Sequence, residues 1–339
     1  MRAARLWAAR DVRIEDLAPP SPTAGEELVR VTAVGLCGSD LHWFEEGGIG
    51  GARVERPIVL GHEFAGVTSD GRRVAVDPAV SCGDCELCRD GHPNLCESVQ
   101  FAGHDVGGAL CEVVAWPRER LFTLPDCLSD ADGAMLEPLG VALHACGLAH
   151  IGPGASVGVF GCGPIGWLTI QVACLLGASA VFATELTSRP HRGTAATSAG
   201  ASLIPADGRE AAAIRAATGG RGLDVAIEAA GDNEAVDAAV EAVRPGARVV
   251  LAGIPPVERT SVSASSARRK GLTLVWARRM KHTYPRAIDL VSRGLVDVRS
   301  GVTHTFPLER AADAFETASR REGMKVIVAP GVVLEAGSA

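Results

Sequence analysis

The chain has no excess of positive charge. Its 339 residues hold 33 Lys and Arg against 40 Asp and Glu, a net charge of -7. Nucleic-acid binders present a basic face, so that class is excluded. The first residues, Met1 to Asp11, lack the apolar core and cleavage site of an export signal. No internal repeat or low-complexity tract is present. Residues Ile151 to Thr184 carry no charge, and about 20 apolar residues would suffice for a membrane helix. Gly158, Gly161, Gly163, Pro164 and Gly166 interrupt that stretch, however, so a strand, a tight turn and a buried helix account for it and no membrane span is expected.

What remains is a globular chain too long for one ordinary core, and two domains are expected. The first 130 or so residues contain short alternating runs at Glu27–Val34, Arg72–Val76 and Ala109–Trp116, read as strands. From Ser156 the texture changes. Strands are expected at Ser156–Phe160, Ala180–Thr184, Asp224–Glu228, Ala247–Ala252 and Leu272–Val275. Helices are expected at Pro164–Leu176, Arg209–Thr218 and Asn233–Val243. That alternation predicts a parallel sheet with helices on both faces. Beyond it come a helix at Pro285–Arg293, a polar stretch, a helix at Leu308–Ser319, a strand at Lys325–Ala329 and a frayed tail after Pro330.

The chain has ten cysteines, four of them close together. Disulfide scaffolds are short, secreted and cysteine-dense. This chain shows no export signal, so reduced thiols and a cytoplasmic location are expected, and a tight cluster reads first as a metal site. Cys82, Cys85, Cys88 and Cys96 form C-x2-C-x2-C-x7-C. Four thiolates close a tetrahedral zinc sphere and leave no position for substrate, which marks a structural site. Gly83 and Gly91 let the loop wrap around it.

A second metal site is scattered. Cys37 in Gly35-Leu36-Cys37-Gly38-Ser39-Asp40-Leu41-His42 and His62-Glu63 in Leu60-Gly61-His62-Glu63 offer a thiolate, an imidazole and a carboxylate. A catalytic zinc uses three protein ligands and keeps a fourth position open. Glu137, in the apolar Leu136-Glu137-Pro138-Leu139-Gly140, is a further acidic candidate; the alternative there is a salt bridge to an arginine.

Gly161-Cys162-Gly163-Pro164-Ile165-Gly166 is a G-x-G-x-x-G between a predicted strand and a predicted helix. Gly161 makes the turn, Gly163 admits a pyrophosphate and Gly166 lets the helix pack on the sheet. The helix N-terminus offers partial positive charge to the phosphates. Glu185, nineteen residues after Gly166, suits the adenosine ribose and repels a 2′-phosphate, favouring NAD over NADP. Arg189 and Arg192, just beyond, act in the opposite direction.

With Gly61-His62-Glu63, the cysteine loop, Glu137-Pro138-Leu139 and the glycine fingerprint occurring in that order, the chain resembles the zinc-containing medium-chain dehydrogenases over nearly its full length. Glu137 to Ala145 (EPLGVALHA) and Thr283 to Ile288 (TYPRAI) are similar to their sorbitol (L-iditol) and polyol dehydrogenase branch. The resemblance implies an α/β protein with a GroES-like β-rich catalytic domain, residues 1–139 and 280–339, and a zinc lobe at about 78–100. A Rossmann domain with a doubly wound parallel sheet would occupy 140–279. It further implies one catalytic zinc on Cys37, His62 and Glu63 or Glu137, and a proton relay through Ser39 and His42. Cofactor contacts would come from Glu185, Arg189, Gly253, Ile254 and Arg279. The expected activity is hydride transfer from a secondary alcohol of a polyol, sugar or cyclitol to NAD, in a homodimer or homotetramer. Trp43 and Met280 depart from the branch, which commonly has tyrosines there. The alternatives are a threonine-type amino-alcohol dehydrogenase, whose substrate charge Arg278, Arg279 and Lys281 could meet, and a non-catalytic zinc- or nucleotide-binding protein.

Overall fold

The structure is a computed structural model, and it describes residues 1–256 and 259–331. The expected frayed tail after Pro330 lies, beyond Gly331, outside the described residues. The chain divides into two compact units: Met1–Glu137 together with the chain from Tyr284 onward, and Pro138–Thr283.

The second unit is a six-stranded parallel sheet. Its order is Ser202–Pro205, Ala180–Glu185, Ser156–Phe160, Leu223–Glu228, Val243–Leu251 and Thr273–Trp276. Numbered along the chain this is 3-2-1-4-5-6, the doubly wound order. Its four central strands carry apolar runs that are largely buried, as parallel strands covered by helices must be, while the two edge strands are more exposed. Phe160, Leu223, Ala226, Val249 and Leu251 pack one face against Ile214, Val236, Ala239 and Val240 of the helices. The chain reverses direction across the sheet between the Ser156–Phe160 and Leu223–Glu228 strands, and ligands of such folds bind at that switch point. The uncharged stretch from Ile151 thus resolves into a strand, the glycine turn, the helix Pro164–Leu175 and a second strand. Among the described residues no helix is long and apolar enough to cross a membrane.

The first unit is built on a sheet that places Glu26–Gly35 between Glu63–Thr68 and Lys325–Ala329. The Lys325–Ala329 strand comes from the far end of the chain and pairs antiparallel with Glu26–Gly35, Ile327 opposite Gly35. Val29, Val31, Val34, Phe64, Val74 and Val76 bury the inner face, joined by Leu308, Phe315 and Val328. The expected strand at Ala109–Trp116 is shorter, Val113–Pro117. Ala109 and Leu110 instead give their N–H groups to Gly61 and Leu60, and so brace the turn before His62. The polar stretch after Arg293 contains a strand, Val302–Pro307, parallel to Lys325–Ala329. Its exposed threonines, Thr303 and Thr305, alternate with the more buried Val302, His304 and Phe306, the period of a half-covered strand.

Candidate active site

Cys37 ends the bend after the Glu26–Gly35 strand and precedes the helix Gly38–Glu46. The helix starts there because Asp40, three residues on, accepts the Cys37 backbone N–H at 2.9 Å, which satisfies one of the donors a helix leaves open at its start. The same carboxylate accepts the Gly61 N–H at 3.2 Å and faces His62 Nδ1 at 3.4 Å. One buried acid therefore ties together the two segments that carry the thiol and the imidazole. With Nδ1 turned to Asp40, Nε2 is the nitrogen left toward Ser39 Oγ, 3.5 Å away. A carboxylate behind a ligating histidine fixes the ring and raises its basicity.

Cys37, His62 and Glu63 bring their ligand atoms within 4.8 Å of one another, with His62 and Glu63 buried. Burial works against charge on the His62 ring, but Asp40 and Cys37 raise its pKa well above the ordinary value. The field that favours a proton there also favours a metal cation in its place. Gly35, opposite Glu63 in the strand register, leaves the space this carboxylate needs: a Cβ there would stand 2.2 Å from Glu63 Oε2. The Phe101 ring packs 5.1 Å from the His62 ring, an apolar wall beside the donors.

Lys325 completes the picture. Its Nζ lies 2.7 and 2.5 Å from the two Glu63 oxygens and donates to Leu36 O at 3.1 Å. Both side chains are almost fully buried, 2% and 1% exposed. Burial disfavours the ammonium, yet Glu63 and Cys37 hold it protonated, above its usual range.

Glu137 lies outside the three-donor group, at the start of the helix Leu136–Ala149. Burial pushes its carboxyl up to about 7, His62 opposes that rise and Glu63 adds to it. His42 sits three residues beyond Ser39 on the Gly38–Glu46 helix, paired with Glu46 at 2.9 Å.

The second cluster forms as a single loop. Cys82 Sγ is 3.9 Å from Cys88 Sγ and 3.5 Å from Cys96 Sγ, and all four sulfurs fall within 4.8 Å of one another. Zinc–thiolate bonds of about 2.3 Å in a tetrahedron put sulfurs about 3.8 Å apart, so the loop fits the ion. Backbone N–H groups of Asp84 and Cys85 pull the Cys82 thiol down to about 6, toward the thiolate a metal needs.

In the parallel-sheet unit, two of the three fingerprint glycines have a steric reason. Gly161 has φ 98°, and a Cβ there would meet Ala230 N at 2.7 Å. At Gly166 it would meet Gly161 O at 1.8 Å. Gly163 differs: a Cβ would find only Arg192 Nη1, at 3.7 Å. That position is open, as a pyrophosphate seat requires. Pro164 opens the helix Pro164–Leu175, with Ile165 and Gly166 in its first turn. Glu185 ends the neighbouring strand with its carboxylate accepting the Cys162 N–H at 3.1 Å and the Leu186 N–H at 2.9 Å. Gly253 and Ile254 follow the Val243–Leu251 strand, and Gly253 packs close to Gly231, where a Cβ would come within 2.3 Å of its nitrogen. Arg279 adopts the left-handed region, φ 53°, a conformation that non-glycine residues keep only when their surroundings impose it.

Sequence reasoning did not single out Asp40 or Lys325. Asp40 had a signal, an acid at the third helical position after Cys37. Lys325 had a weaker one, a lone charge opening an apolar strand.

Comparison with known proteins agrees with this fold. Residues 23–126 match the alcohol dehydrogenase GroES-like domain family, and residues 164–293 match the zinc-binding dehydrogenase family. The chain is 36% identical to the sorbitol dehydrogenase of Bacillus subtilis, covering 97% of both chains. It is 34% identical to the L-idonate 5-dehydrogenase of Vitis vinifera, covering 94% of this chain and 91% of that one. Among solved structures, an alcohol dehydrogenase from Thermus sp. ATN1 superposes with a TM-score of 0.88 at 30% identity, over 97% of this chain and 100% of that one. The chain belongs to the zinc-containing medium-chain alcohol dehydrogenases, in their sorbitol and polyol dehydrogenase-like branch.

Proposed function

We propose that this chain oxidises a secondary alcohol group of a polyol, sugar or cyclitol and passes the hydride to NAD. The observation that carries the reading is the convergence of Cys37, His62 and Glu63, one thiolate, one imidazole and one carboxylate, three donors and not four. Three protein ligands leave a coordination position for substrate. Zinc held there supplies a Lewis acid that acidifies an oxygen acid by about 9 pKa units, about 12 kcal/mol at 1.36 kcal/mol per unit. Cys82, Cys85, Cys88 and Cys96 hold a second, structural zinc, and their need for reduced thiols fits a cytoplasmic location.

The chain's own groups then move the proton. Ser39 Oγ, beside His62 Nε2, accepts it from the substrate hydroxyl. His42, one helical turn on and oriented by Glu46, passes it toward solvent. Glu137, with its carboxyl at about 7, is poised to give or take a proton near neutral pH. Gly161, Gly163 and Gly166 seat the pyrophosphate, Glu185 meets the adenosine ribose, and Arg189, Gly253, Ile254 and Arg279 complete the cofactor site.

The test is dinucleotide reduction with polyols, threonine and simple secondary alcohols. Polyols are expected to show a kcat/KM at least roughly tenfold above the others. Preference for threonine would select the amino-alcohol reading, and no turnover with any of them would select a binding protein. Cys85→Ser is expected to lose about half the bound zinc and to expose the loop between Cys82 and Cys96 to proteolysis, while folded molecules keep their turnover. Metal analysis, limited proteolysis and a rate assay on one preparation read all three effects.

A further inference from the structure

The strand Leu223–Glu228 ends on an acid that the function above leaves unassigned. Glu228 is 1% exposed. It stands at the carboxyl edge of the sheet, opposite Phe160, the residue that leads into the Gly161 turn. A buried carboxylate is costly unless it is paired and hydrogen-bonded. Among the described residues no lysine, arginine or histidine pairs with this one. Burial raises its pKa, and Asp232 adds to that rise. Backbone amides oppose it. Oε1 accepts the Ala230 N–H at 2.7 Å and the Gly231 N–H at 2.6 Å, and the Gly253 N–H also favours the ionised carboxylate.

Those amides belong to two different loops. Ala230 and Gly231 follow the Leu223–Glu228 strand, and Gly253 follows the Val243–Leu251 strand. The Glu228 carbonyl ties the second loop as well, accepting the Ala252 N–H at 2.8 Å and the Gly253 N–H at 3.1 Å. The packing leaves no slack. A Cβ on Gly253 would stand 2.7 Å from Glu228 Oε2, and one on Gly231, where φ is 79°, would stand 2.5 Å from Ile254 O. Ala230 in turn lies against Gly161. One acid therefore fixes both loops to each other beside the glycine turn. The second loop carries Ile254, an apolar side chain 48% exposed, at the edge where ligands of such sheets bind.

The Gly161 turn and Glu185 account for a pyrophosphate and an adenosine. The Leu223–Glu228 and Val243–Leu251 strands belong to the other of the two mononucleotide-binding halves of a doubly wound sheet. We propose that Glu228 is the positioning residue for the nicotinamide half of the dinucleotide: its carboxylate locks the Ala230–Gly231 loop to the Gly253–Ile254 loop and so fixes the surface that half is held against. The proposal rests on the reading that the Gly161 turn seats a dinucleotide. Such a lock matters to hydride transfer because a misplacement of about 1 Å costs about 10²-fold in rate.

The experiment compares the zinc-loaded full chain with its Glu228→Gln variant, which keeps the size of the side chain and one acceptor oxygen but sets an NH2 group on the Gly253 side. Calorimetric titration with adenosine 5′-monophosphate, which carries only the adenine half, and with NAD reads the two halves apart. Affinity for the monophosphate is expected to stay within about twofold, and affinity for NAD to fall about tenfold, the loss of one hydrogen bond to a charged group. With the best alcohol of the panel above, kcat is expected to fall about 10²-fold while KM for the alcohol changes by less than about threefold. Deuterium on the reacting carbon should slow the variant more than the wild type, because hydride transfer has become the slow step. Gly231→Ala, which presses on Ile254 O from the other side of the lock, should give the same pattern and serves as the test if Glu228→Gln does not fold. Equal losses for the two ligands would overturn the proposal, since a strut for the whole unit weakens both halves together. So would an unchanged NAD affinity and kcat. If the wild-type chain binds neither nucleotide, the dinucleotide reading itself falls, and this inference with it.

Discussion

Cys37→Ala is expected to lower kcat/KM by about 10³-fold or more and to remove roughly half of the bound zinc, while dinucleotide affinity stays within about twofold. The size follows from what the site supplies. An alcohol proton is far too weakly acidic to leave at neutral pH unaided, and in the proposed reading a cation at the Cys37–His62–Glu63 convergence makes up the difference. Cys37 is the softest of the three donors and the one a zinc ion prefers. Its loss also removes a group that favours positive charge on His62. The proposed nucleotide site stands on the glycine turn of the other unit, so its affinity is the control. Metal analysis, titration with NAD and steady-state rates decide the matter together. Turnover that survived with the four-cysteine cluster as the sole loaded site would show that the convergence is not where the chemistry happens. Ser39→Ala separates metal from relay: zinc content should be unchanged while kcat falls by about 10²-fold, the usual contribution of a positioned proton acceptor.

The parts of this molecule that were legible in the sequence are those whose residues act locally. The fingerprint glycines could be read because each answers to a neighbour a few residues away or to the next strand, as at Gly166 against Gly161 O. The cysteine loop could be read because its four donors lie on one short segment. The helix Pro190–Ser198 and the strand Ser202–Pro205 were not foreseen, since the helix contains proline, glycine, threonine and serine, all weak helix formers. Packing of Arg192, Gly193 and Ala196 against the sheet, all buried, overrides that local preference. The choice between Glu63 and Glu137 was also beyond local reasoning. It depends on which carboxylate the sheet register places beside Cys37, and that register puts Glu63 opposite Gly35, where no Cβ blocks it. The partner of Glu63 is 262 positions away in the chain, and the antiparallel pairing of the Lys325–Ala329 strand with Glu26–Gly35 brings Lys325 to it.

That distant partner carries the second large effect. Lys325→Ala is expected to cost about 3–5 kcal/mol of stability, because it leaves the Glu63 carboxylate buried without its counter-ion. The double change Lys325→Met with Glu63→Gln should cost much less than the two single changes summed, since replacing a buried pair by neutral groups of similar size is often close to neutral. Urea unfolding monitored by circular dichroism measures both. The same series resolves the third zinc ligand. If Glu63 binds the metal, zinc is a second cation for its charge, and the cost of Lys325→Ala should be large in chelator-treated protein and shrink when zinc is restored. If the cost is the same with and without zinc, the Lys325–Glu63 pair is a strut between two strands of the first unit. The carboxylate facing the metal is then Glu137, whose pKa near 7 a bound cation would pull down by direct attraction. Lys325 thus distinguishes a ligand held in place by a lysine from a brace that stands beside the metal.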